Sequence, residues 1–67
     1  RVKLTVNGAV REVAERLTVA GLLRELGLEK AACAAGVNRQ LVPKKRHADH
    51  ELREGDSIEL VTLVGGG

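Results

Sequence analysis

The chain ends on the stretch LVTLVGGG, and its last residues, Gly65, Gly66 and Gly67, are the first candidates for chemistry. A terminal carboxylate becomes a good electrophile only after one of its oxygens is converted into a good leaving group. Because glycine has no Cβ, a Gly-Gly end can pass a narrow channel, approach another protein's backbone closely and present an unhindered carbonyl carbon. The alternative for these three residues is a linker or a cloning remnant.

Cys33 is the second candidate, as the only cysteine of the chain. A single cysteine excludes an internal disulfide and a cysteine-based metal cluster. Cys33 shares its alternation with Ala35 and Val37, so we expect a small buried side chain. A thiol relay at Cys33 is the alternative.

His47 and His50 lie on either side of Asp49 in a polar stretch, which could suggest a metal site. Two histidines in a polar loop without a third committed ligand are more typical of solvated side chains. We therefore predict no metal site.

Lys44, Lys45 and Arg46 form a basic run. Its simplest role is an exposed loop that keeps the domain soluble. The alternative is contact with an acidic surface of a partner, where the charge would mainly speed encounter. Nucleic acid is disfavoured, because the chain has no Phe, Trp or Tyr for base stacking and a net charge of only +2.

The 67 residues suffice for one small domain with one thin core. No apolar run approaches the roughly 18 residues of a membrane span, and no signal segment leads the chain. A domain this small without disulfides fits a reducing compartment, so we expect a cytoplasmic protein without a membrane partner.

The N-terminal part predicts a β-hairpin. Its first strand, RVKLTV, alternates apolar and polar residues. Asn7 and Gly8 then suit the two positive-φ positions of a two-residue turn. The return strand, AVREVAERL, has a weaker pattern, in which Val10 and Val13 should make apolar contacts.

A helix should follow over VAGLLRELGL, with Thr18 as its N-terminal cap. Apolar residues at i, i+3, i+4 and i+7 give it one buried stripe. Gly27 suits a left-handed end, with Leu28 placed for the apolar contact of a Schellman motif. Gly21 inside the helix costs about 0.5–1 kcal/mol relative to alanine, and we expect it to allow a close approach to the sheet.

The segment after the helix predicts two short extended pieces around a turn at residues 38–40. Pro43 cannot donate to a ladder, so the second piece should end there or lie at a sheet edge. Residues 44–56 read as polar and irregular, with Leu52 as the one apolar anchor.

The last strand, SIELVTLV, has two different faces. Ile58 and Leu60 point one way, and Val61 and Leu63 point the other. If the first pair faces the helix, the second lies on the open face near the glycine end. An exposed apolar patch in that position is a candidate docking site, and simple strand propensity is the alternative.

The order of hairpin, helix, short strands and final strand predicts an α+β fold. One main helix should pack on one face of a mixed sheet, with the apolar first and last strands paired centrally and in parallel. This is the layout of the β-grasp, or ubiquitin-like, fold. We expect a single domain at residues 1–64 and a flexible tail at residues 65–67.

The sequence resembles the ThiS/MoaD family of small sulfur-carrier proteins, and within it the carriers of thiamine biosynthesis. The likeness lies in VNRQLVP followed by ELREGDSIELVTLVGGG, in the Asn-Gly hairpin and in the helix TVAGLLRELG. These pieces occur in order over essentially the whole chain. Two features depart from the family pattern: Gly65 replaces a small residue with a side chain, and the basic run is heavier than usual.

The resemblance implies a sulfur carrier that is a protein substrate and not an enzyme. An E1-like adenylating enzyme would use ATP to convert Gly67, preceded by its obligatory neighbour Gly66, into an acyl-adenylate. Persulfide sulfur from a donor such as a cysteine desulfurase would then give a thiocarboxylate. A thiazole synthase would receive the sulfur, and the carrier itself would bind no cofactor.

Three other functions stay open. The first is a ubiquitin-like modifier whose terminal glycine forms isopeptide bonds, and the second is a plain binding module. The third is the small subunit of a molybdopterin synthase, or another sulfur carrier of the same fold. Molybdopterin-synthase subunits tend to be longer and to carry aromatic residues early in the chain, and this sequence has no aromatic residue.

Overall fold

A computed structural model describes residues 1–30 and 32–62 of the protein. The predictions for Leu63, Val64 and the glycine tail therefore lie outside the described residues. The elements in chain order are β1 (Val2–Val6), β2 (Ala9–Val13), α1 (Val19–Glu25), β3 (Cys33–Val37), β4 (Gln40–Val42), a 3-10 helix (Lys44–Arg46) and β5 (Ser57–Thr62).

The five strands form one mixed sheet in the order β2-β1-β5-β3-β4. The strand β5 lies at the centre, where it pairs in parallel with β1 and antiparallel with β3. The hairpins β1–β2 and β3–β4 form the flanks, so that β2 and β4 are the two edges. The central parallel pairing of the first and last strands is thus confirmed.

Both hairpins turn through backbone conformations with positive φ. Asn7 and Gly8 have φ values of 51° and 85°, and Asn38 and Arg39 have values of 52° and 70°. Two-residue turns of this kind match the twist of the strands that they connect. The first turn is as predicted, and the second is one residue shorter, because Gln40 already belongs to β4.

Local hydrogen bonds define both ends of α1. At the N-terminus, the Thr18 hydroxyl accepts a hydrogen bond from the Gly21 N–H at 3.1 Å. At the C-terminus, Gly27 has a φ of 75°, and the Leu28 N–H donates to the Leu23 carbonyl at 2.7 Å. The predicted cap and the predicted Schellman ending are both confirmed.

Gly21 does not approach the sheet, so that prediction is wrong. A Cβ added there would lie 2.7 Å from Leu17 Cδ1 and 3.4 Å from Thr18 Oγ1. Both atoms belong to the segment that enters the helix. The space around Gly21 is therefore taken by the chain just ahead of α1, because Leu17 packs against the core beside the first helical turn.

The core lies between α1 and one face of the sheet. The helix contributes three buried residues, and every strand contributes at least one. The two buried residues of β3 and the two of β5 stand at alternate positions, as the predicted parities require. The predicted single helix on one face of a mixed sheet is confirmed. The buried apolar residues are Leu4, Val13, Val19, Leu22, Leu23, Ala35, Val37, Val42, Leu52, Ile58 and Leu60.

Val10 does not belong to this core. It was predicted to make apolar contacts together with Val13, but it is 68% exposed. The two residues are three positions apart on β2, so their side chains point to opposite faces of the sheet.

Residues 44–56 have more regular structure than predicted. They start with the 3-10 helix, and a second side chain besides Leu52 is buried. His47 is 7% exposed, although we predicted a solvated side chain. Its Nε2 lies 3.0 Å from the Val42 carbonyl oxygen, and its own carbonyl accepts a hydrogen bond from the Ala20 N–H at 2.9 Å. His47 is therefore a buried polar residue with a satisfied partner, and it connects β4 to α1.

Candidate functional site

The strand β5 precedes the predicted reactive end in the sequence, and the Asn7 side chain binds it at Leu60. The Asn7 Oδ1 accepts a hydrogen bond from the Leu60 N–H at 2.8 Å, and Nδ2 donates to the Leu60 carbonyl at 3.2 Å. The strand β1 ends at Val6, so it cannot make these ladder bonds itself. Because a side-chain amide has the donor and acceptor of a peptide group, Asn7 extends the pairing by one residue.

Asn38 binds the start of β5 from the opposite side. Its Oδ1 accepts from the Ser57 N–H at 3.0 Å, its backbone N–H donates to the Ser57 carbonyl at 2.7 Å, and its Nδ2 donates to Asp56 Oδ1 at 3.1 Å. One asparagine from each hairpin turn thus binds the central strand, Asn38 at its first residue and Asn7 at its fourth. Only the turn positions of these two residues were predicted, because side-chain hydrogen bonds over such long separations leave no local pattern in the sequence.

The face of the sheet away from α1 carries an apolar strip over β5, β3 and β4. Val61 is 59% exposed and pairs with Ala34, and Leu41 is 73% exposed and pairs with Gly36. Ala34 and Gly36 lie on the same face of β3 and form a low floor between the two larger side chains. We call these four residues the open-face strip.

The exposure of Val61 on this face is as predicted, whereas Leu41 was not predicted. Leu41 sits in the middle of a three-residue strand, which is too short to show an alternating pattern. Leu63, the other residue predicted for this face, lies outside the described residues.

The 3-10 helix separates the members of the basic run. Lys44 lines a cleft between α1 and the start of β3, together with Cys33. Arg46 lines a different cavity at the β4 edge, and Lys45 is exposed. Cys33 pairs with Thr62, the last residue of β5. Lys44 shares a cleft with Cys33, so it lies near the C-terminal end of β5.

Cys33 is half-buried at the start of β3 and packs against the core. Its Sγ lies 3.7 Å from the Ala34 carbonyl oxygen. In the part of the chain that the structure describes, no three His, Cys, Asp or Glu side chains are grouped to hold a metal ion. Within the same residues, no helix has the length and apolar character that crossing a membrane requires.

The chain is similar to known proteins over nearly its whole length. A model described as the ThiS family matches residues 4–67. The chain belongs to the ThiS family. It is 32% identical over 65 residues to the sulfur carrier protein ThiS of Escherichia coli (strain K12), covering 97% of this chain and 98% of that protein.

A solved structure shows the same fold. The crystal structure of the thiamine biosynthesis protein (ThiS) from Geobacter metallireducens matches with a TM-score of 0.83 and 30% identity. The match covers 98% of this chain and 100% of that one. The predicted β-grasp fold and the predicted resemblance to ThiS carriers are both confirmed.

A further relative is a much longer protein. The chain is 38% identical over 65 residues to a thiazole synthase of Paramagnetospirillum magneticum (strain ATCC 700264 / AMB-1). The match covers 97% of this chain but 20% of the synthase, so the ThiS family chain spans one fifth of that relative's length.

Proposed function

We propose that this protein carries sulfur for the thiazole of thiamine, as a thiocarboxylate on Gly67, in the cytoplasm. The observation that carries the proposal is the family match, which extends through the glycine end to Gly67. The similarity to a sulfur carrier over nearly the whole of both chains supports it. In this role the protein is a substrate of its partners and not an enzyme.

The proposed chemistry takes place on the terminal carboxylate. In the active site of an E1-like adenylating enzyme, a carboxylate oxygen of Gly67 attacks the α-phosphate of ATP, and pyrophosphate leaves. The terminal sulfur of a persulfide, delivered by a donor such as a cysteine desulfurase, then attacks the acyl carbon and displaces AMP. A thiol cleaves the resulting S–S bond, which leaves the thiocarboxylate and one new disulfide.

The acceptor in this proposal is a thiazole synthase. Support comes from the relative named thiazole synthase, because a region similar to this whole chain forms part of that longer protein. The carrier binds no cofactor of its own, since ATP is bound by the adenylating partner.

The residues of the tail, Gly65 to Gly67, must enter the partner's nucleotide site. Ordering a flexible chain costs about 1–2 kcal/mol per residue, so contacts by the folded body are needed to offset this cost. We assign these contacts to the open-face strip, with Leu63 and the basic residue Lys44 as further candidates. Five residues separate Val61 from Gly67, and the two Cα atoms can be at most about 22 Å apart, so a partner docked on the strip stays within reach of the carboxylate.

The central test is a mass measurement on the intact protein. The protein is incubated with ATP, a cognate adenylating enzyme and a sulfur source, and we expect one oxygen of Gly67 to be exchanged for sulfur. Covalent conjugates with other proteins would instead indicate a modifier, and an unchanged mass would favour a plain binding module. Deletion of Gly67 should abolish the product, and a product that persists would refute the assignment of the site.

The docking surface is tested with charged substitutions on the open face. We expect Val61→Asp and Leu41→Asp to weaken binding to the adenylating enzyme about tenfold or more, because each removes about 1.5–3 kcal/mol of apolar burial. Val10→Asp is the matched control, since Val10 is an exposed residue of the same face on the distant strand β2. All three variants should keep the wild-type circular dichroism spectrum. An equal loss of affinity in Val10→Asp would show that the open-face strip is not the docking surface.

A further inference from the structure

The edge strand β2 has backbone groups that no other strand of the described chain covers. On β1, the Thr5 N–H and the Lys3 carbonyl form hydrogen bonds to the turn before β5, at 2.9 and 2.8 Å. These residues therefore direct their backbone groups away from β2. Their partners in register are Val10 and Glu12, and in an antiparallel pair such partners point their own N–H and C=O groups outward.

Val10 and Glu12 thus offer two donors and two acceptors, spaced about 7 Å apart along the edge. The other edge strand, β4, has three residues and is followed by Pro43, which is a common way to blunt an edge. The strand β2 has five residues and contains no proline. Of the two edges, β2 is therefore the one with room for an added strand.

Arg11 lies between these residues, on the side of the sheet that faces α1. Its Nε–H is buried and has no hydrogen-bond acceptor among the described residues. The neighbouring Nη2 forms a long ion pair with Glu25 Oε1 at 4.0 Å, too long for a hydrogen bond, and the Arg11 side chain as a whole is 41% exposed. A guanidinium presents its N–H groups as a fork that fits a carboxylate, and the exposed part of this side chain has no closer carboxylate than Glu25 at 4.0 Å among the described residues. The position next to Arg11 therefore favours an incoming carboxylate.

From the free edge and this guanidinium, we propose that β2 binds an extended acidic peptide segment of another protein as a sixth strand. The backbone of the segment pairs with Val10 and Glu12, and a carboxylate of the segment binds Arg11. Such strand addition obtains affinity from main-chain hydrogen bonds and specificity from alternate side chains. The segment would lie at the opposite edge of the sheet from the open-face strip, so the proposal does not rest on the proposed function.

A second copy of this chain fits the edge poorly. If the β2 strands of two copies pair antiparallel with the two-fold axis at Arg11, two guanidinium groups stand opposite one another. With the axis at Glu12, two carboxylates stand opposite one another. Pairing about Val10 sets Arg11 opposite Ala9, which supplies no carboxylate. A different chain with an acidic residue at this position is the better partner.

The probe for this site is a seven-residue peptide of alternating valine and glutamate, with acetylated and amidated ends. Bound as a strand, it directs glutamates to the side of Arg11 and valines to the side of Val10. We expect the amide resonances of Val10 and Glu12 to shift, and their hydrogen exchange to slow about tenfold or more at saturation. The Leu41 amide at the other edge should not change. A matched peptide with glutamine for glutamate should bind about fivefold more weakly or worse.

Two variants separate the contribution of the backbone from that of the guanidinium. Val10→Pro removes an outward N–H without removing a ladder bond, so it should abolish binding. Arg11→Lys keeps the charge but loses the fork, so it should lower the affinity to about that for the glutamine peptide. If Val10→Pro is unfolded, a probe N-methylated at alternate residues tests the same hydrogen bonds. Shifts centred on Leu41, no shift at millimolar peptide, or equal binding of both peptides would overturn the proposal.

Discussion

Asn7 is the most informative residue to change, because its turn conformation can be separated from its side-chain hydrogen bonds. In Asn7→Gly the backbone keeps an accessible conformation at its φ of 51°, and the two bonds to Leu60 are lost. At about 0.5–1.5 kcal/mol for each bond, the free energy of unfolding should fall by about 1–3 kcal/mol. Water cannot fully replace these bonds, because Leu60 is only 8% exposed. For a domain of this size, Tm should fall by at least about 4 °C.

Asn38→Gly is the matched control. Asn38 has the same turn position and a φ of 52°, so the added freedom of glycine in the unfolded chain is similar in both variants. Its side-chain bonds to Asp56 and Ser57 are exposed, and water can replace them. We therefore expect Asn7→Gly to be less stable than Asn38→Gly by about 1 kcal/mol or more.

Urea unfolding followed by circular dichroism measures the difference, since the chain has no Trp or Tyr for fluorescence. Hydrogen exchange should show where the stability is lost. Under native conditions, the Leu60 amide should exchange faster in Asn7→Gly and at the wild-type rate in Asn38→Gly. Equal stability of the two variants, or an unchanged Leu60 amide in Asn7→Gly, would refute the view that Asn7 extends the pairing of β5.

Two further predictions concern His47 and Gly21, whose environments differ from those predicted from the sequence. His47→Ala should lower the free energy of unfolding by about 2–4 kcal/mol, because it removes buried volume and the hydrogen bond to Val42. Urea unfolding measures this change, and His50→Ala, at a half-buried histidine, is the control. A loss of stability in His47→Ala no larger than that in His50→Ala would contradict the prediction. Gly21→Ala should stay within about 1 kcal/mol of wild type, because the helical gain of alanine opposes the shift of a terminal methyl of Leu17. A loss above about 2 kcal/mol in the same assay would indicate a rigid neighbour instead.

The features that were predictable are those in which neighbouring residues interact. The Asn7-Gly8 turn, the Thr18 cap and the Gly27 ending each depend on a few consecutive residues, and each is found where it was predicted. Strand alternation likewise separated the buried face of β5 from the exposed Val61. The match of the whole ordered pattern to the ThiS family was visible for the same reason, since it consists of such local signals in sequence.

Contacts between distant residues could be known only from the tertiary structure. The Asn7 amide binds a residue 53 positions away, and His47 is buried because the 3-10 helix turns it towards β4 and α1. Leu41 acquires its place on the open face from the pairing of β4 with β3. In each case the residue type permits several environments, such as turn, solvent or core. The contact that selects one environment forms only when distant parts of the chain come together. The sequence therefore determined the local elements and the family match, whereas tertiary packing determined the environments of Asn7, Leu41 and His47.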